Sequence, residues 1–224
     1  MIVLALEGAL GGFSTSVARE GETLATIALE GNVALESGLG AVRDVMANAG
    51  VTHADVDRLA VGIGPGGFTG LRITIAYAKS LAQAWQLPLA GISSFDILEY
   101  GRNVDSVLAV VVARPGIISA RFRSGGEARR ASGPVAEVLS SVLPPAGASP
   151  LTVVGAPEDV LAVLAEGRYV VNPLVPLVTP PAAALALAAG SARTATSAHE
   201  VRADYGEAPA AKVPTFRPTD RERR

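Results

Sequence analysis

A run of glycines between a predicted strand and a predicted helix constrains this chain more than any other feature. Residues 62–73 read GIGPGGFTGLRI, at the end of the apolar strand predicted at 59–63 and at the start of the apolar helix predicted at 70–85. Glycine permits positive φ angles and close approach of two backbones, and a helix N-terminus favours an anion. The segment therefore predicts either a tight structural turn or a cradle for an anionic group.

The binding candidates are the residues of this loop and of the first helical turn after it. They are Gly64, Pro65, Gly66, Gly67, Thr69, Gly70 and Arg72. Thr69 is the residue type that can cap the following helix. No Gly-Lys-Ser/Thr follows, so the loop is not a P-loop, and its glycine spacing differs from the dinucleotide-binding fingerprint.

Apolar periodicity along the rest of the chain predicts an α/β protein in two halves. Residues 1–101 follow the order βββαβαβα, which indicates a mixed sheet with helices. Residues 102–207 repeat this order in a reduced form, and an Ala-rich helix at 182–192 is expected to pack back on the first half. Residues 208–224 are Pro-rich and basic at their end, which is typical of a mobile tail.

The composition excludes several kinds of site. The chain has no cysteine, so it cannot form a disulfide or a thiolate metal site. Its formal net charge is −2 at pH 7, and the basic residues are scattered, with no stripe that would follow a phosphate backbone. The amino terminus lacks a basic region before its apolar run, and no apolar stretch is long enough to span a bilayer. We therefore expect a cytoplasmic protein without a membrane partner.

No complete catalytic set of residues is present in the sequence. The only histidines are His53 and His199, which are far apart and cannot form a metal site without carboxylates. Glu7 and Asp96 are conceivable as an acid/base pair, but each also has an ordinary structural explanation. We therefore predict no catalytic residue, no metal and no cofactor.

The string GIGPGGFTGLRI, with its preceding strand and following helix, resembles the signature of the TsaB (YeaZ) family and of its catalytic sister TsaD. Weaker similarities occur at Gly91–Ser94, at Val153–Gly155 and in the segment that begins at Tyr205. The resemblance implies an RNase H-like fold of the actin, Hsp70 and sugar-kinase type, with two related α/β halves. It also implies a non-catalytic subunit of the complex that transfers a threonylcarbamoyl group to the adenosine next to the tRNA anticodon.

The chain departs from the family patterns at the positions where the catalytic sister holds its ligands. The first strand leads into Glu7-Gly8 instead of Asp-Thr, residues 32–36 read NVALE instead of a His-x-x-x-His pair, and residues 112–114 read VAR instead of Asp-Ala-Arg. These departures favour a vestigial ligand cleft. The alternative is an autonomous enzyme of the same fold, either a sugar-kinase-like phosphotransferase or a metallopeptidase. Either enzyme would need metal-binding carboxylates or histidines.

The helix at 70–85 is apolar on two sides, so the sheet can cover only one of them. The other side is either buried within the monomer or faces a partner. The resemblance favours a partner, namely TsaD, together with the ATPase TsaE, or a second copy of the chain when TsaD is missing, and it implies that tRNA is met only through the complex. The candidate interface residues are Leu35, Leu39, Val42, Met46, Ile73, Tyr77, Leu81 and Ala84.

Overall fold

The structure of this chain, a computed structural model, describes two β-sheets with helices packed on them. The described residues are 1–31, 34–102, 104–147, 150–172, 181–192, 194 and 197–206. The tail predicted at 208–224 lies outside these ranges. Within them, no helix combines the length and the apolar character needed to cross a bilayer.

The first sheet has five strands in the order β3-β2-β1-β4-β5. Its strands are β1 (Ile2–Glu7), β2 (Phe13–Arg19), β3 (Glu22–Leu29), β4 (Arg58–Gly62) and β5 (Leu89–Ile92), and its helices are α1 (Ala34–Asn48), α2 (Phe68–Trp85) and α3 (Ser94–Glu99). Strand β1 pairs antiparallel with β2 and parallel with β4, and β4 pairs parallel with β5. The parallel pairs need crossover connections, which α1 and α2 provide.

Strand β1 is buried along its whole length because helices cover both faces of the first sheet. Leu4 and Leu6 belong to the core formed with α1 and α2, whereas Val3 and Ala5 face the opposite side. A continuous apolar run is typical of such a doubly covered central strand. The sheet therefore places the carboxyl ends of β1 and β4 next to each other, and the glycine loop follows β4.

The second sheet has four strands in the order β8-β7-β6-β9. Its strands are β6 (Ser106–Arg114), β7 (Ile117–Ser124), β8 (Glu127–Pro134) and β9 (Thr152–Val154), and its helices are α4 (Val135–Val142) and α5 (Glu158–Glu166). Residues 127–134 read EARRASGP, which shows no apolar alternation and therefore predicts no strand. The turn at Gly125-Gly126, with positive φ at both residues, brings β8 antiparallel to β7.

A helix from the C-terminal part of the chain packs on the first sheet. This helix, α6 (Pro181–Ala188), contacts β1 and β2 and buries Ala182, Leu185 and Ala186. The amide of Ala182 donates a hydrogen bond to Ser14 Oγ, 3.2 Å away. Arg58 at the start of β4 donates to the carbonyl of Ala189 beyond the helix. Helix α6 thus covers the face of the first sheet opposite α1 and α2.

Candidate functional site

The glycine loop after β4 is tied by backbone hydrogen bonds to three other parts of the chain. The amide of Gly67 donates to the carbonyl of Ala9 in the β1–β2 turn at 2.8 Å. The amide of Ser94 at the start of α3 donates to Gly64 O at 2.8 Å, and the amide of Asp204 donates to Ile63 O at 2.7 Å. The loop therefore joins the β1–β2 turn, α3 and the C-terminal segment.

Two of these glycines have no room for a side chain. Gly66 has a φ of 156° and Gly64 a φ of 93°, angles that residues with a Cβ rarely adopt. A Cβ at Gly66 would overlap the carbonyl oxygen of Ala9, and one at Gly64 would overlap the carbonyl oxygen of Asp204. Close backbone packing alone is enough to require glycine at both positions. The motif predicted either a tight structural turn or a cradle for an anion. The geometry at Gly64 and Gly66 is that of a tight structural turn.

A small cavity lies beside the loop, and three of the candidate binding residues line it. The cavity holds about 230 Å³ and lies between the β1–β2 turn, where Gly11 and Gly12 line it, and the first turn of α2, where Gly67, Thr69 and Gly70 line it. The amide of Gly67 is already bonded to Ala9 O. Helix α2 begins at Phe68 with Gly67 as its N-cap, so Thr69 lies inside the first turn and does not cap the helix.

The remaining candidates of the motif lie away from this cavity. Gly64, Pro65 and Gly66 are buried under the C-terminal segment and the β1–β2 turn. Arg72 is exposed on α2, with its guanidinium 5.1 Å from the ring centre of Phe68. The structure thus divides the seven candidates between a packed junction, a cavity wall and an exposed helix side. Their role in binding stays a prediction.

Glu7 ends β1 at the position where the resemblance leads one to expect aspartate. Its side chain is 1% exposed and accepts hydrogen bonds from the amides of Ala9 at 2.8 Å and Leu10 at 3.1 Å. Burial raises the pKa of Glu7 from 4.5 to about 7, against the opposing effect of the backbone donors. Glu7 therefore holds the β1–β2 turn in place.

A cluster of ion pairs at the junction of the two halves was missed by the sequence analysis. The buried carboxylate of Glu99 on α3 accepts from Arg121 Nε and from Arg123 Nε on β7, each at 2.9 Å. Arg121 also pairs with Asp96 at 2.6 Å. Arg121 and Arg123 occur at strand spacing and so share one face of β7, which is the only signal in the sequence that pointed to this cluster. Asp96 thus serves the junction between the halves.

Helices α1 and α2 carry the residues predicted to contact a partner, and the structure divides them into three groups. Leu39 is 49% exposed and Ala84 is also exposed. Ile73, Tyr77 and Leu81 are half-buried against the core. Val42 and Met46 are 4% and 8% exposed, so they belong to the monomer core and not to an exposed face. The side chain of Leu35 lies outside the described part of the structure.

The two histidines occupy different parts of the chain. His53 is exposed, with its ring centre 5.9 Å from that of Trp85, and His199 is exposed in the C-terminal segment. In the ranges that the structure describes, no three or more His, Cys, Asp or Glu side chains cluster in a way that could hold a metal ion.

Comparison with known proteins gives three kinds of similarity. Residues 35–150, just over half of the chain, match the family model of TsaD, tRNA N6-adenosine threonylcarbamoyltransferase. The tRNA threonylcarbamoyladenosine biosynthesis protein TsaB of Escherichia coli is 32% identical over 120 residues, which are 52% of each chain. The chain spans about half the length of the curated relatives it matches. YeaZ from Pseudomonas aeruginosa superimposes with a TM-score of 0.70 at 26% identity, over 91% of this chain and 99% of that one.

A more distant structure shows the fold alone. The ethanolamine utilization protein EutJ from Carboxydothermus hydrogenoformans has a TM-score of 0.54 at 14% identity, over 84% of this chain and 90% of that one. Together with the two mixed sheets, these similarities confirm the α/β fold of the actin, Hsp70 and sugar-kinase type. On its matching family model and on its relatives, the chain belongs to the TsaB (YeaZ) family.

Proposed function

We propose that this chain is a non-catalytic subunit in the biosynthesis of tRNA threonylcarbamoyladenosine, and that it supports the catalytic sister TsaD by binding it through α1 and α2. It would act in the cytoplasm, with TsaE as a further member of the complex, and would pair with itself when TsaD is missing. Membership of the TsaB family supports the pathway.

The observation that carries the proposed binding surface is an exposed apolar face on two packed helices. Leu39 is 49% exposed on α1, and Ala84 is exposed on α2. On the same helix as Ala84, Ile73, Tyr77 and Leu81 are each half-buried. We call these five residues the α1–α2 face. An apolar helix face that water still reaches is a common way for a protein to bind a partner helix.

Close packing of the two helices makes this face continuous. A Cβ at Gly38 would lie 3.0 Å from Tyr77 Cε2, which is tighter than ordinary contact. Gly38, which weakens the helix by propensity, therefore lets α1 approach the Tyr77 side of α2. The half-buried side chains of α2 are held from below by the core and stay reachable from above, as an interface with a fixed shape requires.

The non-catalytic part of the proposal is supported by the positions of the acidic residues. Glu7 is committed to the β1–β2 turn, and Asp96 and Glu99 are committed to arginines of β7. A phosphotransferase or a metallopeptidase of this fold needs carboxylates or histidines that are free to hold a metal. No observation on the described residues favours that alternative over the binding role.

The test replaces Leu39 with Asp in the full chain and measures binding to TsaD from the same organism by calorimetry. A carboxylate in the core of an interface typically costs several kcal/mol, so affinity should fall roughly a hundredfold. The thermal midpoint of the chain alone should stay within about 2 °C, since position 39 is exposed in the monomer.

Leu24→Asp is the matched control. Leu24 is 38% exposed and lies on β3, which contributes no residue to the α1–α2 face. This variant should bind TsaD as the parent chain does. Equal affinity of the Leu39→Asp variant and the parent would disprove the assignment of the α1–α2 face.

A further inference from the structure

A groove runs between α2 and the C-terminal segment 201–206, on the side of α2 away from α1. It holds about 420 Å³. Arg72 and Lys79 line one wall, Arg202 and Tyr205 line the other, and the buried side chains of Ile75 and Val201 form its floor. We call this the cationic groove. Positions 72 and 79 lie two helical turns apart, about 10 Å along the axis.

The cationic groove has one sign of charge. Its described lining contains three cationic side chains and no carboxylate. Asp204, which belongs to the same segment, turns its carboxylate to Arg130 at 2.6 Å. Arg72, Lys79 and Arg202 form no ion pair within the described ranges of the chain. A concave surface of one sign on a chain with a net charge of −2 attracts anions to one place.

An exposed aromatic pair lies at one end of the groove. Phe68 is 56% exposed and Tyr205 is 41% exposed, and their ring centres are 5.3 Å apart. The guanidinium of Arg72 lies 5.1 Å from the ring centre of Phe68. Proteins that bind single-stranded nucleic acid combine a positive groove for the backbone with exposed aromatic rings on which bases stack.

The wall formed by residues 201–206 is fixed in place before any ligand binds. The amide of Asp204 donates to Ile63 O at 2.7 Å, and Val201 is 6% exposed. The amide of Gly206 donates to Asp204 Oδ1 at 2.9 Å. A wall that is already ordered loses little conformational entropy on binding.

We infer that the cationic groove binds a short single-stranded segment of RNA, with phosphates against Arg72, Lys79 and Arg202 and a base on Phe68 or Tyr205. The inference rests on the proposed function, since it adds a direct RNA contact to a chain of a tRNA-modifying family. It replaces the expectation that tRNA is met only through the complex. The separation of Arg72 and Lys79 fits successive phosphates of a chain better than one free phosphate. The aromatic pair favours RNA over an acidic segment of a protein.

The test measures binding of a labelled 12-nucleotide oligouridine to the purified full chain by fluorescence anisotropy at several salt concentrations. Arg202→Ala and Arg72→Ala should each weaken binding by roughly five- to tenfold and lower the slope of log affinity against log salt by about 0.7. Tyr205→Leu should weaken binding by a similar factor but leave the salt slope unchanged, because it removes stacking and not charge.

Arg43→Ala is the matched control, because Arg43 is an exposed arginine of α1 outside the groove. It should leave affinity within about twofold. The inference is overturned if the parent chain does not bind at low salt, if Arg43→Ala weakens binding as much as Arg202→Ala does, or if an oligoglutamate peptide of equal length binds as tightly as the RNA.

Failure of this inference can be told apart from failure of the proposed function. Leu39→Asp changes the α1–α2 face only, so it should leave RNA binding by the isolated chain unchanged. Loss of RNA binding in Arg202→Ala together with unchanged affinity for TsaD supports two separate surfaces on the two sides of α2. An Arg202→Ala variant that loses TsaD and keeps RNA assigns the groove to the partner and overturns the inference.

Discussion

The two sheets share one pairing scheme. They differ at the junction after the strand that pairs parallel with the first strand, which is β4 in the first sheet and β9 in the second. Strand β1 pairs antiparallel with β2 and parallel with β4, and β6 pairs antiparallel with β7 and parallel with β9. The first sheet continues into β5. At the corresponding edge of the second sheet, the residues that the structure describes show one parallel bridge, between Leu151 and Val171.

The junction after β4 needs several glycines, whereas the junction after β9 needs one. Gly64, Gly66 and Gly70 each face a backbone carbonyl at a distance that excludes a Cβ. After β9 the chain passes through Gly155, which lies against Val110 O, and then continues as Ala156-Pro157. The pairing scheme common to both sheets thus requires one glycine after the parallel strand. The additional ones are required because the β1–β2 turn and the C-terminal segment press on the first junction.

The first strands of the two sheets also end differently. Strand β1 ends in Glu7, which is buried and bonded to the turn that follows it. Near the end of β6 lies Val112, which is 43% exposed. A buried carboxyl group is thus part of the first turn, and no carboxyl group stands at the matching place in the second half.

The largest expected effect concerns the first junction. Gly66→Ala should lower the free energy of unfolding by about 4 kcal/mol, since a Cβ there combines backbone strain with overlap on Ala9 O. The control is Gly116→Ala in the β6–β7 turn, where φ is 74° and nothing lies within 4 Å of a Cβ. That variant should lose only about 1 kcal/mol. Equal losses in urea unfolding would remove the distinction between packed and open glycines.

The next largest effect concerns the buried carboxyl group of Glu7 and the pH dependence of stability. Its pKa is raised from 4.5 to about 7 in the folded chain, so the folded state binds the proton more tightly than the unfolded state does. The contribution of Glu7 to the free energy of unfolding is therefore fully present below about pH 4.5. As the pH rises to 7, the free energy of unfolding falls by about 3 kcal/mol.

Glu7→Gln should remove this part of the pH dependence, measured by urea unfolding at pH 5, 6, 7 and 8. Val112→Gln, at the matching place in the second half, should leave the pH dependence of the parent unchanged. If the Glu7→Gln variant and the parent lose stability in parallel between pH 5 and 7, the pH dependence comes from another group.

The smallest effect concerns the contact between the halves. Glu99→Ala leaves Arg121 and Arg123 without their shared carboxylate, and it should cost about 2 kcal/mol because the arginines are partly exposed. Asp44→Ala removes a fully surface pair with Arg43 and should cost less than about 0.5 kcal/mol. Calorimetry of both variants measures this difference. A Glu99→Ala variant as stable as Asp44→Ala would mean that the halves do not depend on the cluster.

Local patterns predicted the elements of the first half well. The continuous apolar run of β1 and the apolar spacing of α1 follow from local geometry, since one face or both faces must be covered. The glycine string likewise marked the turn between β4 and α2. The start of α2 was placed two residues too late, because no side chain caps this helix and Gly67 takes that position.

Local patterns failed where pairing decides the structure. Strand β8 is polar and carries no period-2 apolar signal, so its existence depends on the backbone of β7 and on the Gly125-Gly126 turn. Val42 and Met46 lie on an apolar stripe that the sequence could not divide between core and surface. Their burial is decided by how α1 lies against the sheet.

The fold class, the glycine junction and the family could be predicted from the sequence, because each depends on residues close together in the chain. Which distant groups meet depends on the tertiary structure. It joined Arg72 and Lys79 to Arg202 in one groove, across about 130 positions of sequence, and it brought Arg121 to Glu99. The scattered charges of the sequence become a cationic groove only after folding, because residues 201–206 are held by the hydrogen bond from the Asp204 amide to Ile63 O and by the burial of Val201. Periodicity carries no information about such long-range contacts.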